Sequence, residues 1–265
     1  MNLSRQAGLD IKSKNGELSF GPDIEVGVKT ERTAKDLSPV LYISSPREER
    51  TVYKVWRDIA RKEDVKTKNG LKIRYDLTLI SPGKIGRELP KTFGHYHPRD
   101  SEGVGYPEVY EVLSGRAWWL VQLPQKNNPK AIEEIYLAEA WEGEKVLIPP
   151  DFGFASINPD GRELIMANWV SSEFENDYEI FKNLRGAAYY LLESADGDSV
   201  EFEKNSYYEK TPEIIKLRPR EIPELGLIRR VPLYQAIKEH KNLEFLTKPE
   251  KYLDVLTIDN CFKKI

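Results

Sequence analysis

Cysteine and histidine are nearly missing from this chain of 265 residues, which has one Cys, at position 261, and three His. A single Cys excludes both a disulfide framework and a cysteine-based zinc site. Charge of one sign is missing too. Forty Lys and Arg against 43 Asp and Glu leave a formal charge of −3, with no long basic run, which argues against nucleic acid as the main partner. No apolar stretch approaches the length of a membrane span. The first twenty residues, MNLSRQAGLDIKSKNGELSF, lack the apolar core of a signal peptide. The expectation is a soluble cytoplasmic protein with neither a nucleic-acid nor a membrane partner. What is abundant points to strands and turns: 11% aromatic residues, 17 Gly and 17 Pro. The length suits one domain with extensions, or two small ones.

Residues 1–30 read as a polar arm with one strand. Ser45-Pro46-Arg47-Glu48 combines an N-cap hydroxyl, a Pro at the first helical position and a Glu three residues after the cap. Val52, Val55, Trp56 and Ile59 follow at helical spacing, so a helix is expected over 46–62. The period then changes. Leu71 to Ile80 alternates apolar and polar residues up to the turn Ser81-Pro82-Gly83. The runs 108–113 and 116–123 flank Ser114-Gly115 and read as a hairpin. Further strands are expected at 132–138, 145–148, 154–158, 163–170 and 187–193. Short strands with turns between them imply an antiparallel sandwich or barrel, not a doubly wound sheet. The division expected is an arm over 1–30, a β domain over 31–195 and an extension over 196–265. In the extension, Pro232 opens a helix through His240, and Thr247-Lys248-Pro249-Glu250 caps a short last one.

Chemistry concentrates in Gly94-His95-Tyr96-His97 and the later Glu108-Val109-Tyr110. On an extended segment His95 and His97 project from one face. If the strand opened by Glu108 pairs with it, a facial triad of two imidazoles and a carboxylate results. Such a triad leaves coordination positions open for substrate or water and suits Fe(II) and related divalent ions. His240, with no neighbour of this kind, reads as structural. A second constellation, Thr78, Lys84, Gly86, Arg87, Thr92 and Gly94, offers the hydroxyls, backbone N–H and basic groups that a phosphate monoester needs.

The stretch TLISPGKIGRELPKTFGHYH…YPEVYEVLSGRAWWLVQ resembles the cupin-type glucose-6-phosphate isomerases of archaea and some bacteria. Gly115, Gln122 and Pro149-Pro150 fall in the same order, and the likeness covers about residues 70–180. The resemblance implies a mainly β cupin fold, a double-stranded β-helix or jelly roll with flanking helices, assembled as a homodimer. It implies that His95, His97 and Glu108 hold a divalent metal, Fe(II) first and Mn, Zn or Ni after it. It also implies that Thr78, Thr92, Gly94 and Tyr110 hold the substrate phosphate. Glu108 would be catalytic, in the interconversion of glucose 6-phosphate and fructose 6-phosphate. Both an enediolate route with a carboxylate base and a metal-supported hydride shift fit these residues. Three positions depart from the family pattern. Phe154 stands where a fourth ligand His is expected, Trp169 replaces a Tyr, and Asn176 replaces a His. A drifted cupin that binds a sugar phosphate without isomerising it, or acts on another sugar, is the alternative.

Overall fold

The computed structural model describes residues 1–43, 46, 49–197 and 199–265. Two sheets dominate. The first has six strands: β1 (Lys29–Thr33), β2 (Thr51–Trp56), β3 (Ile73–Ile80), β4 (Glu108–Ser114), β7 (Lys145–Ile148) and β9 (Leu164–Ser171). The second holds β5 (Arg116–Gln125), β6 (Asn128–Trp141), β8 (Gly153–Ile157), β10 (Ile215–Pro219) and β11 (Phe262–Lys264). Their orders are β7-β4-β9-β3-β2-β1 and β8-β5-β6-β10-β11. From β3 to β9 the chain passes back and forth between the sheets, which is the winding of a jelly roll. The sheets meet face to face, with Tyr110 of β4 against Trp119 of β5 and Phe154 of β8. The fold is mainly β, a cupin-type jelly roll, and the strands expected at 71–80 and 163–170 lie at its centre.

Three expectations are corrected. Among the described residues of 46–62 there is no such helix: Thr51–Trp56 is β2, paired with β1 and β3. The cap residues Ser45, Arg47 and Glu48 lie outside the described residues. Val52, Tyr53, Val55 and Trp56 are all buried because β2 is covered on both faces, so apolar residues there do not alternate. β-branched and aromatic residues then take the strand that their propensity favours. The runs around Ser114-Gly115 are not a hairpin either. β4 pairs with β7 and β9, whereas β5 pairs with β6 and β8. Gly115, at φ +96°, is the corner where the chain changes sheet, and a Cβ there would meet the Glu163 carbonyl at 3.2 Å. The hairpin is instead β5–β6, turned by Asn127 at φ 69°. Residues 1–30, read as an arm with one strand, carry the hairpin Ile11–Lys14 with Glu17–Phe20.

The C-terminal segment packs on both sheets. β10 runs parallel to β6, and β11 pairs with β10. The expected helix from Pro232 is a short 3-10 stretch, Leu233–Lys238, and Thr247 does not cap the next, Pro249–Lys251. Tyr234 lies on the outer face of the six-stranded sheet, 5.1 Å from Tyr75 and 5.7 Å from Trp169 between ring centroids. That cover leaves the inner face to form the site.

Candidate active site

The segment 91–97 crosses between the sheets. It is bridged to the five-stranded sheet by mutual backbone hydrogen bonds of His95 and Phe154 (3.1 and 3.0 Å) and to residues 172–178 by those of Tyr96 and Asp177 (both 2.9 Å). It is not a neighbour of β4, so the pairing expected between the His segment and the Glu108 strand does not occur. The triad forms across the gap between sheets. Tyr96 points away from it, its hydroxyl accepting from Gln122 Nε2 at 2.8 Å. Gln122 also donates to Tyr208 and accepts from the Ala188 N–H, so it anchors the His segment from behind.

On the other side His95 Nε2, His97 Nε2 and Glu108 converge. The two Nε2 atoms are 3.1 Å apart, and Glu108 Oε2 lies 3.3 Å from His97 and 3.8 Å from His95. One ligand atom from each of the three lies within 4.8 Å of the others. His97 Nδ1 is 2.8 Å from the Tyr106 carbonyl, which only accepts. Nδ1 therefore carries a proton toward Tyr106, and Nε2 is the nitrogen that faces the cluster. Glu108 Oε1 accepts from Asn168 Nδ2 at 2.6 Å. Burial lowers His95 to about 4, against the opposing pull of Glu108. Burial pushes Glu108 up, but its hydrogen bonds to His95 and His97 outweigh that and hold it at about 2. Two imidazoles and an ionised carboxylate, with His97 and Glu108 fixed from behind by Tyr106 and Asn168, are a donor set that fits a divalent ion. The Phe154 ring packs 4.6 Å from His95 and 5.7 Å from His97, and among the described residues the cluster consists of three side chains.

A narrow cavity of ≈ 50 Å³ opens beside the triad. It is lined by His95, Glu108, Thr78, Thr92, Gly94 and Tyr110, which brings six of the seven site residues implied by the resemblance to one place; the seventh, His97, stands in the triad behind. Thr92 Oγ1 accepts from the Ser156 N–H at 3.0 Å, so its hydroxyl proton is left to donate. Gly94 has φ +83°, and a Cβ there would meet the Phe181 ring at 2.6 Å. Burial and the charge of Glu108 raise the Tyr110 hydroxyl well above its ordinary value and keep it a donor. Lys84 and Arg87 do not join the site. They pair with Glu193 and Glu201 of the strands Tyr189–Glu193 and Val200–Lys204. His240 is exposed, at the start of a 3-10 helix.

Of the three departures, Asn176 lines the cavity, with its Oδ1 buried and without a hydrogen-bond partner. Trp169 does not. It faces the other side of β9, where its Nε1 donates to the Leu233 carbonyl at 3.1 Å. Sequence reasoning missed Tyr53, Arg57, Arg74, Asp76 and Asn168, all on the cavity wall. Counting in twos from Thr78 along β3 reaches Asp76 and Arg74, a signal that was available. Arg57 was hidden by the helical reading of its segment.

A family model described as Glucose-6-phosphate isomerase (GPI) matches residues 31–209. A glucose-6-phosphate isomerase of Thermococcus litoralis is 28% identical over 106 residues, 40% of this chain, which spans half of that relative. That of Thermococcus onnurineus is 27% identical over 60% of this chain and 81% of its own length. That of Thermococcus kodakarensis is 26% identical over 75% and 94%. Among solved structures, vicilin from Capsicum annuum overlaps half of this chain and 32% of its own, with a TM-score of 0.35 and 14% identity.

Proposed function

We propose, since this chain belongs to the glucose-6-phosphate isomerase family, that it is a metal-dependent sugar-phosphate isomerase converting glucose 6-phosphate to fructose 6-phosphate and back. One observation carries the reading: a two-His, one-carboxylate cluster shares a cavity wall with Thr78 and Thr92. A divalent ion bound by His95, His97 and Glu108 would supply Lewis acidity at the substrate's carbonyl and hydroxyl oxygens. Fe(II) is proposed first, with Mn, Zn and Ni as the other ions.

The chain's own groups do the rest. Thr78, Thr92, the Gly94 N–H and Tyr110 hold the phosphate by neutral hydrogen bonds. This orients the sugar so that C1 and C2 lie against Glu108. Glu108, ionised at neutral pH, is the base that moves a proton between these carbons. Asn168 holds that carboxylate in place. The unpartnered Asn176 Oδ1 accepts from a sugar hydroxyl, and Phe154 keeps water from the buried side of the triad.

A coupled assay with glucose 6-phosphate and fructose 6-phosphate, run with Fe(II), Mn(II) or Zn(II), tests this. No turnover with any metal removes it. The second reading, a cupin that binds sugar phosphates without isomerising them, is favoured by Phe154 in the fourth-ligand position. It expects thermal stabilisation by sugar phosphate with no product. A homodimer and a cytoplasmic setting belong to the same proposal, and a monomer by light scattering would remove the first. A cupin domain over 31–195 with accessory ends also belongs to it, and limited proteolysis tests that division.

A further inference from the structure

When Glu108 takes a proton from carbon, the electron pair left behind must come to rest on an oxygen. The cavity holds a cation at the same level as that base. Arg74 of β3 and Glu108 of β4 are both paired with Val170 of β9, one on each side of it. Residues directly opposite in an antiparallel sheet share a face, so both side chains project inward, and both line the cavity. Their backbones are two strand spacings apart, roughly 10 Å. A contact of about 3 Å at each end leaves room between them for the two-carbon end of a sugar. Thr78 lies four residues further along β3, roughly 13 Å away. Arg74 therefore stands beside the reacting carbons and apart from the end of the wall that carries Thr78 and Thr92.

Asp76 fixes the guanidinium. Its side chain is 3% exposed, and its Oδ2 accepts from Arg74 Nε and Arg57 Nη1, both at 3.0 Å. Its Oδ1 accepts from the Asp58 N–H at 2.9 Å. Arg74 thus meets Asp76 through Nε, and among the described residues its two Nη groups have no hydrogen-bond partner. They are donors held in place with nothing yet to donate to. Burial works against the charge of Arg74, but Asp76 and Glu108 outweigh it, so the group stays a cation throughout a proton transfer. No ion pair forms between Arg74 and Glu108 themselves.

We propose that Arg74, positioned by Asp76, is a catalytic residue of this site, whose Nη groups donate to the sugar oxygen that becomes negative when Glu108 removes the proton. This rests on the isomerase reading and selects the enediolate route over a hydride shift. Glu108 takes the proton from C2 of the open-chain aldose. The C2–H electron pair becomes the C1–C2 double bond, and the carbonyl pair moves onto O1, where Arg74 stabilises it. The O2 proton passes to O1, and Glu108 returns its proton to C1, which leaves the ketose. No atom or electron is gained or lost, and Arg74 keeps its own protons.

Kinetics of Arg74→Gln with glucose 6-phosphate and fructose 6-phosphate, in the metal-loaded protein, test it. kcat is expected to fall about 100–1,000-fold while KM stays within about threefold of native. Metal content and thermal midpoint stay native. Arg74→Lys keeps part of the rate because the charge remains, and added guanidinium restores part of it to Arg74→Ala. In heavy water the native protein delivers solvent deuterium to the carbon that receives the proton. A native kcat in Arg74→Gln would overturn the proposal. So would a raised KM with native kcat, the mark of a binding contact alone, or metal content falling together with kcat, the mark of an arginine that acts by holding Glu108. If Arg74→Gln fails to fold, Arg74→Lys decides, and a native kcat there together with no rescue of Arg74→Ala by guanidinium overturns the assignment. In each of these cases the native protein still turns over and the isomerase reading stands. No turnover by the native protein with any metal removes both.

Discussion

Glu108 and Glu111 are buried carboxylates three residues apart on one strand, and they behave in opposite ways. Glu108 faces inward, where two imidazoles outweigh its burial and hold it at about 2, and Asn168 donates to it. Glu111 faces outward, under the C-terminal segment. There burial pushes it up to about 7 despite Lys145 Nζ at 2.8 Å and the Leu233 N–H at 2.6 Å. Burial is common to both. The difference lies in what each carboxylate meets. On the inner face polar groups converge from both sheets, and on the outer face a strap of chain covers an aromatic layer of Tyr75, Trp169 and Tyr234. One sheet therefore presents a chemical face and a structural face, divided by the alternation of its strands.

Substitutions can break this contrast. His97→Ala is expected to abolish metal binding and all isomerase activity while the fold survives; metal content, the coupled assay and circular dichroism read this, and unfolding would make the inner cluster structural. Glu111→Ala should do the reverse. It leaves Lys145 buried without its carboxylate and costs about 3–5 kcal/mol by urea titration, with metal content unchanged. Asn168→Ala releases Glu108 from behind and should weaken metal affinity about 10–100-fold, seen by metal titration. Phe154→His should tighten metal binding; unchanged affinity would mean that this position does not face the ion.

The smallest effect is in pH dependence. The folded pKa of Glu111 is raised above its ordinary value of 4.5, to about 7. The folded protein therefore binds this proton more tightly than the unfolded chain. The stability it contributes is full below about 4.5 and fades as pH rises through about 7. Glu111→Gln should flatten that part of the urea midpoint–pH curve. A slope that persists would assign it to another group.

Much of the inner face was legible beforehand because its chemistry is local. His95 and His97 are two residues apart, and Thr78, Thr92 and Glu108 lie in the segments around them. Alternation in 71–80 was legible for the same reason. Where a strand is covered on both faces the pattern fails. Val52, Val55 and Trp56 of β2 copied helical spacing, and with them Arg57 escaped notice. The hairpin expected at Ser114-Gly115 fails differently. Two strands flanking a Gly look alike whether the chain folds back within a sheet or turns the corner to another, because the distinction depends on strands distant in sequence, here β7 and β9 beside β4 and β8 beside β5.

By itself the sequence determined the residue types and spacings: two imidazoles in register, a carboxylate to follow, hydroxyls on a neighbouring strand, and too few Cys for a cysteine-based zinc site. Those follow from the two-residue period of extended chain. Only the tertiary structure decided which groups meet. It sent Trp169 to the outer face and Lys84 and Arg87 to another hairpin, and it drew Arg57, Arg74 and Asp76 into the cavity. Such encounters depend on how sheets stack and which segment covers each face, and a linear pattern carries neither.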